Sequence, residues 1–231
     1  MRNWTRNLKG LLNLFLESNC PLCQRPTSQE FCHDCTRQLQ RCQLLHQSLL
    51  LTDLPVFAWG VYGGTLKRAI AALKYENQPQ LARPFGVGLA QAWLNSQLAS
   101  KALVVVPIPL HADKEKQRGY NQAALLAQSF CDFTGLDLQQ MGLERILATQ
   151  AQFGLSSSER QKNLTAAFAL GPGFRRHRPA NPVLLLDDIY TTGATVRSAA
   201  QTLRCLGIAV SGVVVLATTQ RKNQDYRPQS D

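Results

Sequence analysis

Asp187 and Asp188 follow the apolar run Val183, Leu184, Leu185 and Leu186, and lead into Ile189, Tyr190, Thr191, Thr192, Gly193, Ala194 and Thr195. Acids at the carboxyl end of a buried strand are costly to desolvate unless a ligand needs them there. The hydroxyl-rich turn behind them opens a helix. Its free backbone N–H groups, the threonine hydroxyls and the positive end of the helix dipole suit a phosphate, and Gly193 lets the main chain approach closely. The carboxylates repel that phosphate, so their natural partners are sugar hydroxyls or a divalent cation. A phosphorylated sugar satisfies both halves, while a plain strand-to-helix turn with capping acids is the competing explanation. A Walker loop is excluded, because no Gly-Lys-Ser or Gly-Lys-Thr ending is present.

A second chemistry lies near the N-terminus, where Cys20 and Cys23, then Cys32 and Cys35, form two C-x2-C pairs with eight residues between them. Four thiolates at this spacing close a tetrahedral zinc site and leave no position for water or substrate. The metal is therefore expected to be structural, supplying folding energy to a segment too small for a core of its own. His33 could replace a cysteine, although a surface role suits it better. An iron–sulfur cluster is compatible with the ligands but less so with the compact spacing. Cys42, Cys131 and Cys205 have no neighbouring His or Lys arrangement that would activate a thiol. Clustered thiols, rather than a disulfide framework, point to a reducing compartment.

These groups need a scaffold, and 231 residues with 45% hydrophobic content can build one main domain and a small stapled appendage. The net charge of +10 draws polyanions such as nucleotides, pyrophosphate or nucleic acid, without choosing among them. Basic residues are densest at 114–118, 175–178 and 221–227. Trp4, Leu8, Leu11, Leu12 and Phe15 fall at helical spacing behind Arg2 and Arg6, as in a short amphipathic helix packed on the protein, with membrane-surface contact the lesser alternative. The apolar run there is short, broken by Asn13 and followed by no small-residue cleavage site. No stretch reaches the roughly 20 apolar residues of a membrane span.

Patterning predicts a strand over 57–62, helices over 66–75 and 81–98, and a buried strand over 102–106 stopped by Pro107 and Pro109. A polar, basic loop over 111–120 should follow, then a helix capped by Asn121, and a polar mobile loop over 150–162. The last unit is a strand over 183–186, a loop over 187–193, a helix over 194–206 stopped by Gly207, and a strand over 209–217, a right-handed βαβ unit. The expected fold is α/β, an open, mostly parallel sheet flanked by helices, in a domain over 55–220. An N-terminal helix and zinc knuckle over 1–45 precede it and a flexible tail over 221–231 follows it.

Residues 184–195 resemble the signature of the type I phosphoribosyltransferases: apolar residues, two acids, an apolar and a free position, two hydroxyl residues, Gly, a free position and Thr, matched without departure. More widely, the four-cysteine knuckle, Lys74 with Tyr75, the segment Val106, Pro107, Ile108, Pro109 and Leu110, then Arg118, Gly119, Tyr120, Asn121 and Gln122, and the late phosphate turn resemble the ComF family of late-competence and DNA-utilisation proteins. Arg145, Thr149, Gln152, Leu155, Arg160, Asn163, Ala167 and Phe168 are similar to that family's middle block.

The resemblance implies that Asp187 and Asp188 hold the ribose hydroxyls of 5-phosphoribosyl-1-pyrophosphate and that Thr191, Thr192, Gly193, Ala194 and Thr195 cradle its 5-phosphate, with Mg2+ on the donor. It also implies a bacterial cytoplasmic protein that handles incoming single-stranded DNA in natural competence. Lys114, Lys116 and Arg118 are placed to neutralise a leaving pyrophosphate, and Arg145 and Arg160 to close over substrate. Lys74 could contact nucleic acid or acceptor, or simply face the negative end of its helix dipole. No acceptor pocket or general base is legible. The expected activity is phosphoribosyl transfer to an unknown acceptor; the alternative is a non-catalytic sensor of the donor that binds single-stranded DNA. Tyr75, Tyr120 and Trp59 are its candidate stacking aromatics.

Overall fold

The computed structural model describes residues 18–44, 48–50, 54–147 and 167–220. The expected N-terminal helix, the loop over 150–162 with Arg160, and the tail over 221–231 lie outside them. Two short antiparallel strands, β1 (Ser18–Asn19) and β2 (Pro26–Thr27), hold Cys20 and Cys23 in the turn between them, and the helix α1 (His33–Gln40) carries Cys35 and starts just after Cys32. The strands β3 (Ser48–Leu50) and β4 (Pro55–Val61) pair antiparallel and lead into α2 (Gly64–Tyr75). A single 3-10 turn over Pro79–Leu81 joins α2 to α3 (Ala82–Leu94). Then come β5 (Val104–Pro107), α4 (Ala112–Arg118), α5 (Gln122–Thr134) and β6 (Asp137–Leu138). A hairpin of β7 (Leu143–Arg145) and β8 (Phe168–Leu170) precedes α6 (Pro172–Arg176), and β9 (Val183–Tyr190), α7 (Ala194–Cys205) and β10 (Val210–Thr218) complete the described chain.

The main sheet has the order β3-β4-β10-β9-β5-β6 and is parallel except at β3. Its central strands are buried on both faces, as strands between two helix layers must be. Phe57, Trp59, Leu184, Leu186, Val214 and Leu216 pack with α2, α3 and α5. Val56, Ala58, Val183, Leu185, Val213 and Val215 pack with Val196, Ala199, Ala200 and Leu203 of α7. Alternation along each strand thus assigns residues to one helix layer or the other. The expected open, mostly parallel sheet is what the chain forms.

Two departures from the patterning have local causes. The expected basic loop over 111–120 is helical over Ala112–Arg118: the His111 side chain accepts from the Asp113 N–H at the start, and Gly119 in the left-handed region ends it. The helix over 81–98 is shorter, and its Gly86 is required by packing, since a Cβ there would lie 2.6 Å from the Ser129 Cβ and 2.8 Å from the Leu126 carbonyl oxygen of α5. Asn121 does cap α5, accepting from the Ala123 N–H at 3.0 Å, and its own amide donates to the Ile108 carbonyl at 3.0 Å.

The cysteine module has no core of its own but shares that of the sheet. Phe31 and Leu39 join the buried cluster of Leu66, Phe85 and Trp59, with the Phe31 and Phe85 ring centroids 5.6 Å apart.

Candidate functional site

The strand β9 outruns its neighbour. On the β5 side the last pairs are Pro107 with Leu186 and the Ile108 N–H to the Leu186 carbonyl at 2.8 Å, so Asp187 to Tyr190 project past the end of β5. On the other side β10 accompanies β9 as far as Tyr190. The chain leaves β5 outward through α5 to β6, and leaves β9 in the opposite direction through α7 to β10. The crevice between β5 and β9 is therefore a topological switch point, the place where open α/β sheets receive ligands.

Both acids belong to this projecting end rather than to a loop, which corrects the expected boundary at 186: the strand runs through Tyr190 and only Thr191, Thr192 and Gly193 turn. Asp188 is buried and meets the Lys74 ammonium, Oδ2 to Nζ 2.7 Å, with both side chains mostly covered. Asp187 is partly accessible; its Oδ1 accepts from the Asp188 N–H at 2.8 Å. Desolvation and then the Asp188 charge push the Asp187 carboxyl up to about 7, against the pull of the Asp188 N–H, Lys74 and Arg145. Two like charges on adjacent residues cannot both ionise freely in such a place. Arg145 lies over the Phe168 ring at 5.6 Å, and burial lowers its guanidinium pKa while Asp187 opposes that effect. A parallel bridge between His111 and Arg145 fixes the β7–β8 hairpin against the segment after β5.

The turn behind the acids is held from beneath. Gly193 takes φ 75°, and a Cβ on it would stand 2.1 Å from the Tyr190 hydroxyl oxygen. Glycine alone meets both demands without strain. Thr192 Oγ1 accepts from the Ala194 N–H at 3.4 Å, and the first turn of α7 contains no acid. Thr191 and Thr192 are exposed, Ala194 and Thr195 partly so.

The remaining candidates fall around this crevice or away from it. Lys114 and Lys116 are exposed on α4. Arg118 lies over the Tyr75 ring at 5.3 Å and hydrogen-bonds to Gln122. Of the aromatics, Trp59 is 6% exposed and belongs to the core, the Tyr120 hydroxyl donates to the Leu73 carbonyl at 2.7 Å, and Tyr75 is 77% exposed. The residue that patterning missed is Lys74 as the partner of Asp188. Its signal, a basic residue at a helix end, does not distinguish a ligand-site cation from a dipole partner.

The four cysteine sulfurs lie within 4.8 Å of one another, with Cys23 and Cys32 at 3.5 Å. Sulfurs bound to one zinc at about 2.3 Å stand roughly 3.8 Å apart, so the set fits a tetrahedral ion such as zinc. Burial pushes the Cys20 thiol up, but the backbone N–H groups of Cys32, Leu22 and Cys23 outweigh it and bring the thiol to about 7, whereas burial and the neighbouring thiols push the Cys35 thiol up, so with no cation among them the four do not all ionise. Cys42 is not among the four; it donates to the Gln38 carbonyl at 3.4 Å. Cys131 is buried and Cys205 exposed. Among the described residues no helix is long and apolar enough to cross a membrane.

The chain is thus an α/β protein with an open, mostly parallel sheet, an acidic strand end at its switch point and a four-cysteine module. Competence protein F of Haemophilus influenzae is 30% identical over 211 residues, spanning 87% of this chain and 90% of that protein. Competence protein ComFC of Bacillus subtilis is 28% identical over 83% of this chain and 74% of its own. The DNA utilization protein YhgH of Salmonella typhimurium is 28% identical over 87% and 85%. This chain belongs to the ComF family. No family model matches it. Solved structures that resemble it include adenine phosphoribosyltransferase of Trypanosoma brucei (TM-score 0.39, 10% identity, 85% of each chain). Another is the glutamine phosphoribosylpyrophosphate amidotransferase of B. subtilis (TM-score 0.38, 21% identity, 58% of this chain and 25% of that one).

Proposed function

We propose that the crevice between β5 and β9 binds 5-phosphoribosyl-1-pyrophosphate together with Mg2+, and that the protein is a phosphoribosyltransferase serving the handling of incoming single-stranded DNA in natural competence. One observation carries this: Asp187 and Asp188 project from β9 at the switch point, two residues before a turn whose Gly193 sits at positive φ. Asp187 and Asp188 orient the ribose diol, and Thr191, Thr192, Gly193, Ala194 and Thr195 take the 5-phosphate on the amino end of α7. Lys114, Lys116 and Arg118 supply positive charge for the departing pyrophosphate, and Arg145 and Arg160 shield the donor from water. Mg2+ would enter with the donor and would supply positive charge against its pyrophosphate. Cys20, Cys23, Cys32 and Cys35 hold a structural Zn2+ under the α2–α3 layer. The protein works in the bacterial cytoplasm, with competence proteins and single-stranded DNA as partners and without membrane insertion.

Calorimetry with the donor and Mg2+ tests the binding. Wild type should bind, and Asp187→Asn with Asp188→Asn should not, with the thermal transition retained. Equal affinity of the double variant overturns the reading. Pyrophosphate release over a panel of nucleobases and amines separates enzyme from sensor: binding without turnover leaves a donor sensor that binds single-stranded DNA, a role for which the exposed Tyr75 under Arg118 offers a stacking surface.

A further inference from the structure

The helix α2 starts at the carboxyl end of β4, yet its last turn meets Asp188 at the carboxyl end of β9, two strands away. Strands lie about 4.8 Å apart and a helix of this length spans about 18 Å, so α2 lies across the carboxyl edge of the sheet and delivers Lys74 to the crevice. That placement does not depend on the lysine. Leu73 is fully buried, its carbonyl accepts from the Tyr120 hydroxyl at 2.7 Å, and Tyr75, the residue after Lys74, carries Arg118 over its ring. The helix end is thus pinned on both sides of Lys74 by contacts that involve neither its charge nor Asp188.

A lysine serving only its helix dipole would keep its ammonium in water. Lys74 instead places it 2.7 Å from Asp188 Oδ2, with its side chain only 17% exposed. Desolvating both ions is costly, and the pair holds the carboxylate in one orientation. We propose that Lys74 is a positioning residue for the acidic pair: it fixes the orientation of the Asp188 side chain as an acceptor aimed at the diol of the bound phosphosugar. This rests on the phosphosugar reading of the crevice. Among the described residues, the cations that act on the two acids are Lys74 from α2 and Arg145 from β7. Only Lys74 makes a close ion pair with Asp188 among the described residues. Removing it leaves two adjacent carboxylates to repel each other, and Asp188 loses its fixed geometry.

The test compares ribose 5-phosphate with 2-deoxyribose 5-phosphate, titrated calorimetrically into wild type, Lys74→Gln and Lys74→Arg. A hydrogen bond to an ionised group is strong enough that Lys74→Gln should lose on the order of tenfold in affinity for the ribose compound and little for the deoxy compound. The preference for the diol should collapse, and Lys74→Arg should restore part of it. Equal loss for both sugars would make Lys74 a general anion ligand instead, and an unchanged or enlarged preference would mean it plays no part or competes with the diol; each result overturns the proposal while leaving the site reading intact. Failure of wild type to bind either sugar sinks both. A matched thermal transition in Lys74→Gln excludes misfolding as the cause, and if that variant melts early, the diol preference of Lys74→Arg against wild type decides.

Discussion

Replacing Asp187 by Asn should stabilise the protein above neutral pH and change little at about pH 3.5, below the ordinary carboxyl value. Desolvation, reinforced by the Asp188 charge, carries this carboxyl from 3.8 to about 7. At about 1.4 kcal/mol per pH unit, ionising it inside the fold costs at most about 4 kcal/mol. Asp187 keeps some contact with solvent, which brings the expected effect to roughly 2 kcal/mol. The sign follows from proton counts. Between 3.8 and about 7 the folded protein holds a proton that the unfolded chain has released, so stability falls as pH rises through that window and the loss is complete above it. Asn mimics the protonated acid and does not titrate. The difference between variant and wild type therefore cancels the cysteines and every other shared group. Urea unfolding of both proteins at about pH 3.5 and about pH 8 measures it. The gap should be small at the lower pH and open at the higher. A variant no more stable than wild type at the higher pH, or an offset that does not vary with pH, would show that Asp187 is not held against the preference of the fold.

Gly193→Ala should cost about 1–3 kcal/mol and lower the melting temperature, because the new Cβ meets Tyr190 and the backbone sits at positive φ; an unchanged transition contradicts the geometry. Chelating the metal should lower one shared unfolding transition rather than release a separate early one, since Phe31 and Leu39 belong to the core that contains Leu66 and Phe85. Two resolved transitions in calorimetry would mean that the module and the sheet fold independently. Donor affinity should fall as pH drops below about 7, where Asp187 takes up its proton, so a flat profile from about pH 6 to about pH 8 would remove Asp187 from the diol clamp.

The strand-turn-helix unit was legible because three independent signals coincide at 183–206: a β-branched and leucine run, a turn with glycine and hydroxyls, and helical spacing of small apolar residues. The four cysteines were legible because metal spacing is itself a local property. The boundary at 186 failed for a physical reason. Acids usually end a buried strand, but β10 pairs with β9 as far as Tyr190 and carries the extended conformation through both. The short helix α4 was missed because its residues are polar on every side and pack nothing in the core, so no periodicity betrays it.

Local sequence by itself determined the chemistry on offer: an acidic pair ahead of a turn of hydroxyl residues and glycine, four thiols at zinc spacing, and a basic chain able to build one sheet. Tertiary structure alone decided what surrounds those groups. That α2 crosses the sheet edge, that Lys74 lands on Asp188, that Asp187 is desolvated enough to hold a proton near neutrality, and that the cysteine module leans on Phe85 all depend on contacts between residues far apart in the chain. Spacing along a chain fixes neighbours only within a turn or a strand, whereas desolvation and ion pairing are set by whichever distant segments the core brings together.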